Sequence, residues 1–208
     1  KIKQLELEKG PIGVQIFDNR PFAVSEAAKL AEDSGAFLID INMGCPVKKI
    51  SRKGGGSALI NDRLLAIELV KRVSNAVKVP VTVKTRLGWE NKEENIEEFL
   101  LSLQDAGAEM ITLHGRTRKE GFSGKADWEM IGKIKELLEI PVIANGDIKN
   151  PKDAFNCFKK TNADGLMIGR GILGSPWKLG EIDHAIKEIK GFKEPNIEEK
   201  LLLIIEHL

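Results

Sequence analysis

The sequence predicts an α/β fold of the TIM (β/α)8-barrel type, truncated at its N-terminus, with six strand–helix units followed by the start of a helical region. Three observations carry that prediction. Short β-branched runs alternate with helical segments along most of the 208 residues. No Rossmann-style glycine fingerprint marks an open, doubly wound sheet. The last two runs end in glycine-rich loops of the kind that barrels place after their seventh and eighth strands, which sets the two missing units at the front. A complete barrel usually takes roughly 250 residues, more than are present here.

The units follow in order. Residues 1–10 alternate charge with isolated aliphatic residues and make no convincing first unit. Residues 13–17 read as a strand, and 25–34 as a short helix stopped at Gly35. Residues 37–42 form the next strand, and 61–77 a helix capped by Asn61 or Asp62. A strand at 81–85 precedes a helix at 96–106 that ends at Gly107. A strand at 110–114 precedes a helix at 126–138, and a strand at 141–144 precedes a helix at 151–160 with Pro151 at its start. The last strand is 165–168. The strands read as apolar on both faces, as helix-covered parallel strands do. Beyond Trp177 the pattern becomes helical, at 178–190 and again at 197–208, so residues 1–177 form the barrel part and 178–208 begin a second region.

Composition narrows the function class. With 42% hydrophobic and 30% charged residues the chain can bury a substantial core. No apolar stretch approaches the roughly 20 residues that span a bilayer, and residues 1–10 do not read as a secretory signal. Cys45 and Cys157 lie far apart with no CxxC partner or histidine cluster, so no metal site is expected and a reducing, cytoplasmic setting is the default. The net charge of +1 argues against a uniformly basic nucleic-acid binder, although a local basic patch suffices for phosphate contacts.

Barrels keep their chemistry at the C-terminal ends of strands, and the unusual residues stand there. Asn145-Gly146-Asp147 and Gly169-Arg170-Gly171 follow the last two strands. Glycine lets backbone approach an anion closely and Arg170 can grip a phosphate bidentately; the glycines also serve simple tight turns, but two adjacent loops favour a phosphate-bearing ligand. Lys84, near the end of an apolar strand, either faces an anionic or electron-rich ligand in the barrel mouth or turns outward and snorkels. His114 is a ligand contact or a capping histidine, with Arg116 and Arg118 on the same mouth loop. In Asn42-Met43-Gly44-Cys45-Pro46, the proline extends Cys45 and Gly44 allows an unusual turn, which presents a thiol from a fixed loop. A cysteine with no histidine beside it in sequence is mostly protonated at neutral pH, which suits proton donation better than nucleophilic attack. Cys157, on the apolar side of a helix, reads as structural. Lys48, Lys49, Arg52 and Lys53 before Gly54-Gly55-Gly56-Ser57 form either a solvated flexible loop or, with Arg116, Arg118, Lys119 and Lys125, a polyphosphate-facing rim.

Taken in order, Asp40-Ile41-Asn42-Met43-Gly44-Cys45-Pro46, Lys84-Thr85-Arg86-Leu87-Gly88-Trp89, His114-Gly115-Arg116-Thr117-Arg118, Asn145-Gly146-Asp147-Ile148 and Gly169-Arg170-Gly171 resemble the tRNA-dihydrouridine synthases, the bacterial B-type members most closely. The resemblance runs from about Gly13 to Trp177. It implies a bound FMN, reduced by NADPH, that passes hydride to C6 of a flipped-out uracil in tRNA. Cys45 matches the donor of the proton to C5, and Asn42 a residue that holds the uracil. Gln15, Lys84 and His114 match flavin contacts. Asn145, Gly146, Asp147, Gly169 and Arg170 match the loops around the ribityl and phosphate groups, and Arg116 and Arg118 are expected to contribute to the tRNA contacts. The family also begins with a strand bearing a Pro-Met-x-Gly-x-Thr-Asp-like motif, which this sequence lacks, and ends in a helical tRNA-binding domain, of which residues 178–208 supply only the start. Two other readings remain: an FMN barrel acting on a small molecule, in the manner of dihydroorotate dehydrogenase, and a flavin-free RNA-binding fragment.

Overall fold

Alternation of side chains along each strand, and helical periodicity between strands, decide how this chain folds. The computed structural model describes residues 10–47, 51, 53–90 and 95–206. Residues 1–9, 48–50, 52, 91–94 and 207–208 lie outside the described residues, and with them the expectations placed on Lys48, Lys49 and Arg52.

Six strands are described: β1 (Gly13–Ile16), β2 (Leu38–Asn42), β3 (Val81–Arg86), β4 (Met110–His114), β5 (Val142–Asn145) and β6 (Gly165–Met167). They form one sheet in the order β1-β2-β3-β4-β5-β6, every neighbouring pair parallel. Such an order requires each strand to return beside its predecessor, and helices make the returns. These are α1 (Pro21–Asp33), α2 (Arg63–Ser74), α3 (Ile96–Asp105), α4 (Trp128–Leu137) and α5 (Pro151–Thr161), followed by α6 (Lys178–Ile186) and α7 (Ile197–Glu206). The sheet curls into part of a (β/α)8 barrel, the fold class that the strand–helix count predicts.

The two faces of the sheet differ, contrary to the expectation of strands apolar on both sides. Ile39, Ile41, Val81, Val83, Ile111, Leu113, Val142 and Ala144 are fully buried on the helix side, against Ala66, Leu69, Leu100, Leu103, Ile131 and Ala154. Register places Gln15, Asp40 and Thr82 in one row of the opposite face, Asn42, Lys84 and Thr112 in the next, and Arg86, His114 and Asn145 in the last. Strand-to-strand pairing thus gathers isolated polar residues on the cleft-facing side, in rows that Met110, Ile143 and Met167 complete on β4 to β6.

Helix starts follow their caps. The Asp62 side chain accepts from the Leu65 N–H (3.2 Å), Asp127 from Met130 (2.9 Å) and Asn150 from Asp153 (2.9 Å), each satisfying a first-turn donor. α1 begins four residues earlier than the predicted start at Ser25, because Pro21, with its φ already helical, occupies the first turn. α6 stops at Ile186 rather than continuing to Lys190, since Glu188 takes a left-handed φ of 55°. The glycine loop is not a solvated coil: Gly55, Gly56 and Ser57 are buried, and residues 56–60 make a 3-10 turn whose Ser57 N–H donates to the Cys45 carbonyl (3.2 Å). Lys53 is exposed beside it. No helix among the described residues is long and apolar enough to cross a membrane.

Candidate active site

The C-terminal ends of the strands converge on an open cleft of about 790 Å³. Gln15, Asn42, Cys45, Lys84, His114, Arg116, Asn145, Gly146, Asp147, Gly169 and Arg170 all line it, although they come from six different strands or the loops after them. Arg118 does not. Its backbone N–H donates to Gly88, its guanidinium lies over the Trp89 ring (4.5 Å), and its buried Nε has no partner among the described residues.

Cys45 owes its place to the end of β2. The Asn42 Oδ1 accepts from the N–H groups of Gly44 (3.1 Å) and Cys45 (2.9 Å), while its Nδ2 donates to Gln15 Oε1 (2.7 Å). Gly44 runs so close to β3 that an added Cβ would stand 3.3 Å from the Lys84 carbonyl oxygen and from Thr85, tight enough that only glycine fits without displacement. The Cys45 thiol is half-buried at the cleft wall, whereas Cys157 is fully buried and its thiol is pushed up to about 12 by burial.

Positive charge dominates the middle of the cleft. Burial, then the neighbouring Arg86, lowers the Lys84 ammonium to about 8, and no hydrogen bond to its Nζ is formed among the described residues. Arg86 is 2% exposed and lowered to about 10, first by burial and then by Arg116. Its Nε donates to the Gly44 carbonyl (2.8 Å) and its Nη1 to Thr117 and Gly121 (2.9 Å each), so it ties the Cys45 loop to the loop after β4. Burial, Arg86, Lys84 and Arg116 together depress His114 to about 3, which leaves a neutral imidazole at physiological pH.

The loops after β5 and β6 form the far wall. Arg116, 2% exposed, grips both Asp147 oxygens (2.9 and 2.8 Å) and donates to the Ser123 (2.8 Å) and Gly124 (2.7 Å) carbonyls. Burial pushes the Asp147 carboxyl up, but the Ala126 N–H and Arg116 outweigh it and hold the group below its ordinary value. Asp147 adopts a left-handed φ of 59°, a cost that this bidentate grip offsets. Trp128 Nε1 pins the Gly146 carbonyl (3.0 Å), and Asn145 Nδ2 reaches the Met167 carbonyl (2.7 Å). At the lip, Gly169 and Arg170 are exposed, and Arg170 stacks on Phe122 (4.0 Å).

Arg86 and Phe122 also line the cleft, and Asp40 supports its lining residue Gln15, though none of the three stands among the expected site residues. Alternation could have found Arg86, since it is two residues beyond Lys84 and therefore on the same face. Asp40 is likewise two residues before Asn42. Phe122 sits in a loop with no periodicity to place it.

A family model described as dihydrouridine synthase (Dus) matches residues 2–208. The chain is 51% identical over 208 residues to a probable tRNA-dihydrouridine synthase 1 of Synechocystis sp., covering all of this chain and 59% of that protein. It is 45% identical over 194 residues to a probable tRNA-dihydrouridine synthase of Rickettsia bellii, covering 93% of this chain and 60% of that protein. With tRNA-dihydrouridine synthase B of Pseudomonas putida the identity is 40% over 198 residues, covering 95% and 59%. The chain thus spans 59–60% of the length of these relatives. Match and motifs agree across nearly the whole sequence, and the chain belongs to the dihydrouridine synthase family.

Proposed function

We propose that this chain is the FMN-binding, catalytic part of a cytoplasmic tRNA-dihydrouridine synthase, which reduces uridines in tRNA to 5,6-dihydrouridine with NADPH as reductant. The observation that carries the reading is the meeting, in one cationic cleft, of the Cys45 thiol, the Lys84 ammonium and the neutral His114 with the glycine loops after β5 and β6. These residues fit FMN. Lys84, lowered by burial and without a hydrogen-bonding acceptor among the described residues, suits an electron-rich heteroaromatic edge. An added Cβ at Gly169 would meet nothing within 4 Å, so the backbone there is open to a phosphate, with the Arg170 guanidinium beside it. Bound there and reduced by NADPH, FMN would supply the hydride for C6 of the uracil. Cys45 supplies the proton for C5, which completes saturation of the C5–C6 bond. Asn42 keeps one Nδ2 hydrogen beyond its bond to Gln15, and that hydrogen can hold a uracil carbonyl.

The target base must leave its stack, a cost of a few kcal/mol that contacts to the tRNA backbone offset. Arg116 spends its guanidinium within the protein, so we assign it to bracing the cleft and leave tRNA contact to Arg118, Lys119 and Lys125. In the same reading residues 1–177 form the flavin-binding part, and 178–208 belong with the helical tRNA-binding region. FMN titration tests the assignment: the wild-type chain retains the flavin, and Arg170→Ala weakens it by roughly tenfold, the loss of one charge-assisted phosphate contact. Unchanged retention in that variant removes the phosphate role.

A further inference from the structure

Beneath the Cys45 loop runs a line of hydrogen bonds that ends on a carboxylate. Thr82 Oγ1 donates to Asp40 Oδ1 (2.7 Å), and Gln15 Nε2 donates to Asp40 Oδ2 (2.7 Å). Asn42 Nδ2 donates to Gln15 Oε1 (2.7 Å), and the Gly44 and Cys45 N–H groups donate to Asn42 Oδ1 (3.1 and 2.9 Å). Burial raises the Asp40 carboxyl, the Gln15 and Thr82 donors and Lys84 pull it back, and an ionised carboxylate only accepts. Gln15 must therefore turn its nitrogen to Asp40 and its oxygen to Asn42, and Asn42 must turn its nitrogen to Gln15 and its oxygen to the loop. Reversing the amides would aim Asn42 Nδ2 at two backbone donors and leave both N–H groups without an acceptor, a costly arrangement in a half-buried loop.

We propose that Asp40 is a positioning residue: as the fixed acceptor at the end of the Gln15–Asn42 line, it sets the amide direction that caps the Gly44 and Cys45 N–H groups and so holds the Cys45 thiol at the cleft. Asp40 is 9% exposed and does not line the cleft, so it acts through the two amides rather than on a ligand. The base of the loop has other ties, from Met43 N–H to the Lys84 carbonyl (2.7 Å) and from Arg86 Nε to the Gly44 carbonyl (2.8 Å). Asn42 alone among the described residues accepts from the two N–H groups that lead to Cys45. The consequence for catalysis rests on the proton-donor role proposed for Cys45; the placement itself does not.

Thiol alkylation reads the placement without flavin or tRNA, so failure of the proposed function and failure of this inference are separable. Cys157 is fully buried and Cys45 half-buried, and iodoacetamide on the native 208-residue chain therefore reports on Cys45. Asp40→Asn lets either end of an amide meet Gln15 and is expected to raise the labelling rate roughly three- to tenfold, the loss of a loop hydrogen bond. Combining it with Gln15→Glu moves the carboxylate one place along the line. The new asparagine then donates to the new glutamate, Asn42 Nδ2 keeps an acceptor, and labelling returns to about the wild-type rate. A role in packing alone gives no such rescue. Gln15→Met, at an exposed position, cuts the same line while leaving Asp40 and its Thr82 donor in place, and raises labelling to a similar degree. Wild-type labelling in Gln15→Met or Asp40→Asn, or a combined variant as fast as Asp40→Asn, overturns the proposal.

Discussion

His114 and Lys84 are buried in the same field of positive charge, and burial first, then that field, favours the neutral form of each. The unfolded imidazole takes up a proton near pH 6.5, but the folded one resists until about 3. A depressed histidine stabilises the fold fully above its unfolded value and loses that contribution as pH falls through the window below it. The expected loss is about 1.4 kcal/mol per pH unit while only the unfolded state binds the proton. Urea unfolding at pH 7 and pH 5, on wild type and His114→Gln, checks this: the variant loses the extra acid sensitivity, and equal sensitivity in both contradicts it. Lys84 gives the opposite readout through ligand binding. A bound anion favours its ammonium, so affinity for FMN falls as pH rises through about 8. From pH 7 to pH 9 the expected loss is roughly five- to tenfold, absent in Lys84→Met.

Among the elements, the loops after β5 and β6 depend most on close approach. An alanine Cβ at Gly171 would stand 2.3 Å from the Ile148 carbonyl oxygen and 3.0 Å from Lys149 Cα, both backbone atoms that cannot swing aside. Gly171→Ala is therefore expected to cost about 1–3 kcal/mol of stability, read by urea unfolding, and to release FMN by parting the two loops. Wild-type stability with full flavin retention contradicts that geometry. The strands themselves were legible because β-branched runs such as Val81-Thr82-Val83 bury one face against helices. What lies across from a residue was not legible. Asp40 meets Gln15 and Thr82 only through strand register, at separations of 25 and 42 positions that no local pattern encodes. The same reason hid the partner of Arg116, Asp147, which stands 31 positions away. Cap chemistry could have fixed the start of α1, because Pro21 was visible in the sequence.

At the scale of the molecule, six parallel strands present one apolar face to helices and one face rich in polar residues to a cleft, so a single sheet supplies both core and site. The polar face is paid for by mutual satisfaction: Asp40, Gln15 and Asn42 in one line, Arg116 and Asp147 in another. Within that frame Cys45 is a thiol held on a loop beside the cationic floor. Liquid-chromatographic nucleoside analysis of dihydrouridine-free tRNA, after incubation with this chain, FMN and NADPH, tests its role as proton donor most directly, with flavin bleaching followed in the same sample. New dihydrouridine is expected from the wild-type chain, and from Cys45→Ala bleaching of the flavin by NADPH without product. Bound flavin bleached by NADPH in the wild-type chain with no dihydrouridine formed, or equal product from Cys45→Ala, would contradict that role.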